Sequence, residues 1–207
     1  MSVRNFRKEM DAVLLEKQKN GRKPRVLLHV CCAPCASSCV EYLVRNCTVT
    51  LFFYNPNIDT KEEYGKRAGE LTRLMRQMYP EDAIDIIIAD WDHEAFEEMS
   101  KGLEEEPERG RRCLKCYEMR LGKTSERMNG DYDFFATTLT LSPLKSAEAI
   151  NEIGERIAEE SGLCYLVSDF KKADGYKRSI ELSRKYDLYR QDYCGCGFSK
   201  RSNTNGK

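Results

Sequence analysis

RVLLHVCCAPC, residues 25–35, decides how the chain must be read. Val26, Leu27, Leu28 and Val30 make a short apolar run, the mark of a strand covered on both faces. Two adjacent thiols, Cys31 and Cys32, stand where that strand stops, and Cys35 follows. A buried strand that ends in reactive groups belongs to a parallel sheet, whose chemistry gathers at the carboxyl ends of its strands. The remaining chain alternates to match. Residues 3–19 read as a charged amphipathic helix, and 37–46 as a helix capped by Ser37 or Ser38. VTLFFY (49–54) is a second strand ending in the turn signal Asn55-Pro56-Asn57. Residues 60–78 read as a long helix opened by Thr60, with Glu63 in the capping-box position. IDIIIA (84–89), DFFATT (133–138) and CYLVS (164–168) read as further strands. Residues 92–100, 113–129, 146–161 and 175–187 read as helices. The expectation is one α/β domain over residues 1–202, a parallel sheet of about five strands flanked by helices, with a disordered tail at 203–207. The polar groups that would face its crevice are Cys31, Tyr54, Asn55, Asp90, Thr137, Thr138 and Asp169, each at a strand end.

Composition narrows the function. In 207 residues, 34 Lys and Arg balance 34 Asp and Glu, so a uniformly basic coat for nucleic acid is excluded while a local patch is not. No apolar run approaches the ~20 residues of a membrane span. The first residues lack the apolar core of a secretion signal, so a cytoplasmic protein with no membrane association is expected. The charge is segregated. Twelve acids between Glu81 and Glu108 face the single base Lys101; Arg109, Arg111, Arg112, Lys115, Arg120 and Lys123 follow almost at once. The last stretch, from Lys171, is basic again and interleaved with tyrosines.

The ten cysteines are about 5% of the chain, below the roughly 8–10% of a disulfide scaffold. In a reducing compartment they point to metal binding or redox chemistry. Cys31, Cys32, Cys35 and Cys39 fall together; Cys113 and Cys116 form C-x-x-C in a basic segment; Cys194-Gly195-Cys196 lies near the end. Cys47 and Cys164 stand alone and read as small buried hydrophobes. Two thiols from the 31/32/35 group with Cys113 and Cys116 would make a four-thiolate site, which needs a cation to be buried. Both zinc and iron–sulfur accept four cysteines; one knuckle on a strand-to-helix loop favours the reactive group over the structural one. Which of Cys31, Cys32 and Cys35 ligate stays open, because successive side chains of an extended chain point to opposite sides. The Cys194/Cys196 pair reads as a redox shuttle or a two-thiolate clamp for a second metal, Gly195 supplying the backbone freedom.

LHVCCAPC (28–35), YNPNI (54–58), RCLKCYEMRL (112–121), TTLTLSPLKS (137–146), DFKKADGYKRS (169–179) and LYRQDYCGCGFS (188–199) resemble the cobalamin-independent epoxyqueuosine reductases, six blocks in order from about residue 25 to 199. That resemblance implies a Rossmann-like, nucleotide-hydrolase-like fold and reduction of epoxyqueuosine to queuosine at the wobble position of tRNA, the last step of queuosine synthesis. It implies a [4Fe-4S] cluster on Cys31, Cys32, Cys113 and Cys116 and a redox-active pair at Cys194 and Cys196. A second, mononuclear iron is implied near Cys35, Cys194 and Cys196, as is an electron donor the sequence does not name.

The chemistry agrees with the residues. Turning an epoxide into an alkene takes two electrons and a protonated or Lewis-acid-bound leaving oxygen, so a second centre beside a one-electron cluster is wanted. Asp90, Asp169 and His29 are the further proton-donor or ligand candidates, with helix capping or packing as their plainer roles. Arg111, Arg112, Lys171, Lys172, Tyr176, Arg178, Tyr189 and Arg190 are the candidates for gripping tRNA, Arg and Lys on phosphates and Tyr on splayed bases. Two competing readings are a zinc-stabilised nucleic-acid-binding module and a thiol–disulfide oxidoreductase working through Cys32 and Cys35.

Overall fold

Val26 and Leu28 turn to one face of the first strand and Leu27 to the other, and all three are fully buried. That two-sided burial is why the run is apolar without alternation. The computed structural model describes residues 4–19, 21–81 and 84–204. Its elements are α1 (Phe6–Lys19), β1 (Arg25–His29), α2 (Ala33–Leu43), β2 (Thr48–Phe53), α3 (Lys61–Met78), β3 (Ile86–Ile88), α4 (His93–Ser100), α5 (Arg111–Glu126), β4 (Phe134–Thr137), a 3-10 turn (Thr138–Leu141), α6 (Ala147–Ser161), α7 (Gly175–Lys185) and α8 (Gly197–Thr204). The four strands are all parallel, in the order β3-β2-β1-β4. His29 pairs with Phe52 on one side and Thr137 on the other. The chain therefore winds outward in both directions from β1, and the β1/β4 junction is the switch point at which such sheets open a crevice.

One core cluster joins β1 and β2 to α1, α2 and α3 through residues such as Met10, Leu14, Val40, Leu51 and Leu71. A second packs Tyr117 and Leu121 of α5 and Ile150 and Ile157 of α6 against Phe135. Helices thus cover both faces, as the alternating pattern required.

Several boundaries differ from the sequence reading. The 164–168 segment is not a full strand: Tyr165 forms one parallel bridge to Phe135, with Phe135 N donating to Cys164 O and Leu166 N to Phe135 O. Its continuation is diverted, because the Asn151 side chain of α6 takes both the N–H and the carbonyl of Ser168. Cys164, expected to be buried, is exposed at the start of that segment. Helix α2 begins at Ala33, not Ser37, with Cys32 in the N-cap position and Pro34 in the first turn. Proline suits that place, having no N–H to leave unpaired. Ser37 instead bonds back to Pro34 O within the helix. Thr60 caps α3 as expected, accepting from Glu63 N, but the Glu63 carboxylate turns to Arg67. Helix α8 covers Gly197–Thr204, part of what read as tail; residues 205–207, and Val3 of the first expected helix, lie outside the described residues.

Candidate active site

Cys31 stands two residues past the end of β1, after Val30, and Cys32 and Cys35 belong to the entry of α2. Their three sulfurs lie within 4.8 Å of one another, the one such group of three or more His, Cys, Asp or Glu among the described residues. The vicinal pair does not splay: Cys31 Sγ is 3.7 Å from Cys32 Sγ. The chain bends at Cys31, whose N–H donates to Thr138 Oγ1 across the switch point at 3.3 Å. Sulfur contacts from Cys32 and Cys35, with the positive charges of Arg120 and Lys145, hold the Cys31 thiol well below its ordinary value. The hydrogen bond to that anion pushes Cys32 up to about 12 and raises Cys35 as well. Of the three, Cys31 is the thiol whose ionisation its surroundings favour, not the N-cap thiol of a thioredoxin-like pair.

Arg120 of α5 is the central cation. It is 1% exposed. It donates to Asn55 Oδ1 and hydrogen-bonds the Cys116 sulfur, and its charge acts on Cys31 and Cys194 as well. Asn55 in turn donates to Val30 O at 3.0 Å, so the turn after β2 is tied to the end of β1. His29 is packed beneath this network. Its Nδ1 meets Thr137 Oγ1 at 2.9 Å and its Nε2 meets Tyr54 O at 3.1 Å. Burial, then the Arg120 charge, lowers its pKa to about 3, so it is a neutral structural imidazole.

Cys113 and Cys116 sit in the first turns of α5, one helical step apart on the face that carries Arg120 at i+4 from Cys116. They line a small cavity with Cys194 and Cys196. A larger cavity of about 310 Å³ adjoins it, lined by Cys31, Cys32 and Cys35 and again by Cys194. Cys194, Lys145, Leu144 and Glu108 belong to both walls. Cys194 thus stands between the 31–35 thiols on the larger cavity and the 113–116 thiols on the smaller one, and the α5 sulfurs are not in the group that lies within 4.8 Å. The C-terminal segment is pinned there: Cys194 O accepts from Asn57 Nδ2 and Arg67 Nη1, both at 3.3 Å, and Asp59 N donates to Gly195 O at 3.0 Å. Gly195 has φ +116°, and a Cβ there would press on Ile58, Arg67 and Asn57 at 3.1–3.2 Å. Only glycine meets both demands. All ten cysteines are free thiols. Cys39 and Cys47 are buried in the core.

The other expected site residues scatter. Asp90 is exposed at the end of β3, and Asp169 is buried and paired with Lys171 at 3.0 Å; neither lines the cleft. Tyr176 and Arg190 do line it. Arg178 is exposed and bound to Glu41 and Glu181, and Lys172 is exposed. Arg111 is exposed and paired with Glu106. Arg112 is buried, donates to the Leu103 and Glu104 carbonyls and lies 4.2 Å over the Phe198 ring. Tyr189 meets Glu63 while Lys66 covers its ring. Sequence reasoning missed Arg67, Arg120, Lys145 and Glu108 as cleft residues; the i+4 spacing of Arg120 from Cys116 was the available signal.

The donor set fits a metal group. It is wholly sulfur, the choice of zinc and iron–sulfur sites over magnesium or calcium, and it includes a stabilised thiolate beside fixed positive charge.

A sequence model of the family described as epoxyqueuosine reductase QueH matches residues 26–202. Among relatives, an epoxyqueuosine reductase QueH of Streptococcus pyogenes is 37% identical over 200 residues, covering 95% of this chain and 78% of that protein. One from Staphylococcus epidermidis is 38% identical, covering 94% and 84%. One from Thermotoga maritima is 32% identical over 178 residues, covering 84% and 89%. With the family pattern running through the strand end, the α5 cysteines and the pinned C-terminal loop alike, this chain belongs to the epoxyqueuosine reductase family.

Proposed function

We propose that this chain reduces epoxyqueuosine to queuosine at the wobble position of tRNA. The observation that carries the reading is the lining of two adjoining cavities by thiols from residues 31–35, 113–116 and 194–196, with Arg120 and Lys145 beside them, at the switch point of the sheet. The reaction takes two electrons and two protons; both C–O bonds of the epoxide break, the alkene forms and the oxygen leaves as water. Held by Cys31, Cys32, Cys113 and Cys116, a [4Fe-4S] cluster would supply single electrons, and an iron beside Cys35, Cys194 and Cys196 would act as Lewis acid.

The chain's own groups do the rest. As the alternative to flanking that iron, Cys194 and Cys196 are a dithiol on a pinned loop, able to give up two electrons and two protons as a disulfide. The Cys194 sulfur foremost raises the pKa of Lys145 and keeps it an ammonium, a fixed positive charge and hydrogen-bond donor at the edge shared by the two cavities. Tyr176 and Arg190 at the cleft wall, with Lys172 exposed nearby in sequence, would stack and pair with the anticodon loop. Among the described residues no helix is long and apolar enough to cross a membrane. A tRNA substrate and free thiols go with a reducing cytoplasm, and an electron donor must restore the dithiol.

The test is anaerobic turnover of an anticodon stem-loop carrying epoxyqueuosine, with nucleosides analysed by mass and iron and sulfide assayed on the same preparation. Queuosine formation with iron and acid-labile sulfide bound, both lost in a Cys113→Ser, Cys116→Ser double variant, is the expected result. A colourless zinc protein, or one whose activity survives that double variant, would overturn the cofactor assignment.

A further inference from the structure

Four buried polar atoms on the two cavities that Cys194 lines have no hydrogen-bond partner: Arg67 Nη2, Arg112 Nε, Asn57 Oδ1 and Gln191 Oε1. Folded proteins leave few such atoms, and these line two adjoining cavities that share Cys194. Arg67 and Gln191 line the large cavity with Cys32 and Cys194, and Asn57 and Arg112 line the small one with Cys194 and Cys196. The remainder of two of these side chains is already committed. Arg67, 2% exposed, gives Nε to Glu63 at 2.6 Å and Nη1 to Cys194 O. Asn57, 1% exposed, gives Nδ2 to the same carbonyl, which fixes the amide and leaves Oδ1 as the free end. What remains is two guanidinium donors, Arg67 Nη2 and Arg112 Nε, and two amide acceptors on the walls that Cys194 shares.

That combination is selective. A phosphate or carboxylate would satisfy the guanidinium donors but meet two acceptors it cannot answer. An ammonium would do the reverse. A pair of hydroxyls does both, since each oxygen accepts and each hydrogen answers one of the two acceptors. We infer that Arg67, Arg112, Asn57 and Gln191 form a hydroxyl-recognition subsite that seats the hydroxyl-bearing carbocycle of the modified nucleoside against Cys194, and that they set the preference for this base over an unmodified one. The inference deepens the epoxyqueuosine reading and rests on it. The four residues are positioning groups: they orient the ring and take no part in electron transfer. Buried groups matched to a substrate hydroxyl discriminate strongly, because an analogue without it leaves them unpaired.

Equilibrium binding of two synthetic anticodon stem-loops to the full-length chain tests this, one with epoxyqueuosine and one with guanosine at the wobble position. Wild type should prefer the modified loop. Gln191→Leu, which keeps the side chain's bulk and removes its polar end, should weaken binding of the modified loop about 10- to 100-fold, the worth of one or two hydrogen bonds to a buried group. Affinity for the guanosine loop should stay put, so the preference collapses. Gln191→Glu keeps an acceptor and should restore most of it; Arg67→Lys keeps the charge, loses the second Nη and should lose preference in the same direction. A Gln191→Leu chain with the wild-type preference would overturn the subsite while leaving the reductase reading intact. A wild-type chain with no preference for the modified loop would overturn both.

Discussion

Replacing Arg120 by methionine removes the one fully buried guanidinium that touches the α5 cysteine and acts on the two other thiol segments. The cost can be worked out from its partners. Asn55 Oδ1 loses its donor, and an orphaned buried acceptor costs about 1–3 kcal/mol. Cys31 loses a nearby positive charge that favours its thiolate, and breaking a buried charged set by removing one member costs about 3–5 kcal/mol in all. Methionine refills much of the volume, so no large cavity term is added. We expect Arg120→Met to lose about 3–5 kcal/mol, a large part of the roughly 5–15 kcal/mol of a typical domain. Arg120→Lys should lose less, keeping the charge but not the planar fork that reaches several partners at once. Urea unfolding under reducing conditions, with an unchanged slope, measures both. Iodoacetamide alkylation of Cys31 against pH gives an independent readout, and its midpoint should move upward in Arg120→Met. A loss below about 1 kcal/mol with an unmoved alkylation profile would refute the claim that this cation holds the thiols together.

Four further outcomes are expected. His29 has a folded pKa of about 3 against an ordinary 6.5, so the unfolded chain binds the extra proton between these values; stability is full above about pH 6.5 and falls by about 1.4 kcal/mol per pH unit toward 3. His29→Gln should flatten that acid limb in urea unfolding at pH 6, 5 and 4, and an unchanged limb would refute neutral burial. Cys194→Ser should abolish turnover yet keep the visible absorbance of the loaded protein; disappearance of the band would make Cys194 a ligand of the chromophore. Gly175→Ala places a Cβ 1.8 Å from Phe170 O, a backbone atom that cannot step aside cheaply, so a loss of about 3 kcal/mol is expected by thermal or urea unfolding, and a neutral result would mean that α7 starts differently. Arg190→Glu, at the exposed edge of the cleft, should raise the KM for tRNA and reduce the salt slope of binding by about one, whereas an unaltered slope removes it from the phosphate path.

The sheet was legible because strands covered on both faces carry apolar residues at successive positions, as residues 26–28, 51–53 and 134–136 do. CYLVS carries the same composition but closes no ladder, since the backbone of Ser168 is bonded by Asn151 instead; a helix side chain 17 residues upstream leaves no mark in the strand's own letters. The start of α2 was misread for a local reason. Ser37 and Ser38 are good caps by type, yet Pro34 one turn earlier is the stronger signal, and it puts the helix entry on Cys32 itself. Helix α8 was hidden by a polar, glycine-flanked segment with little apolar periodicity to find.

The thiols of the site were legible because cysteine is scarce and here clustered. The cations were not, for a reason of numbers: with 34 Lys and Arg in the chain, type alone cannot say which turn inward. Yet the inward ones make the thiol arrangement possible. A thiolate at Cys31 in a water-poor crevice is costly without opposite charge close by, and Arg120 and Lys145 supply it from α5 and from the loop before α6. The same Arg120 grips Asn55 of the turn after β2, whose neighbour Asn57 binds the carbonyl of Cys194. Assembly of the cysteine segments is therefore written into the protein's own salt and hydrogen-bond network, and a metal group would enter a site already shaped for it. If that is right, chelation should strip the metal without unfolding the chain, unlike a zinc finger, in which metal binding and folding are one event; coincident loss of metal and of helical circular dichroism would show that the protein network does not suffice.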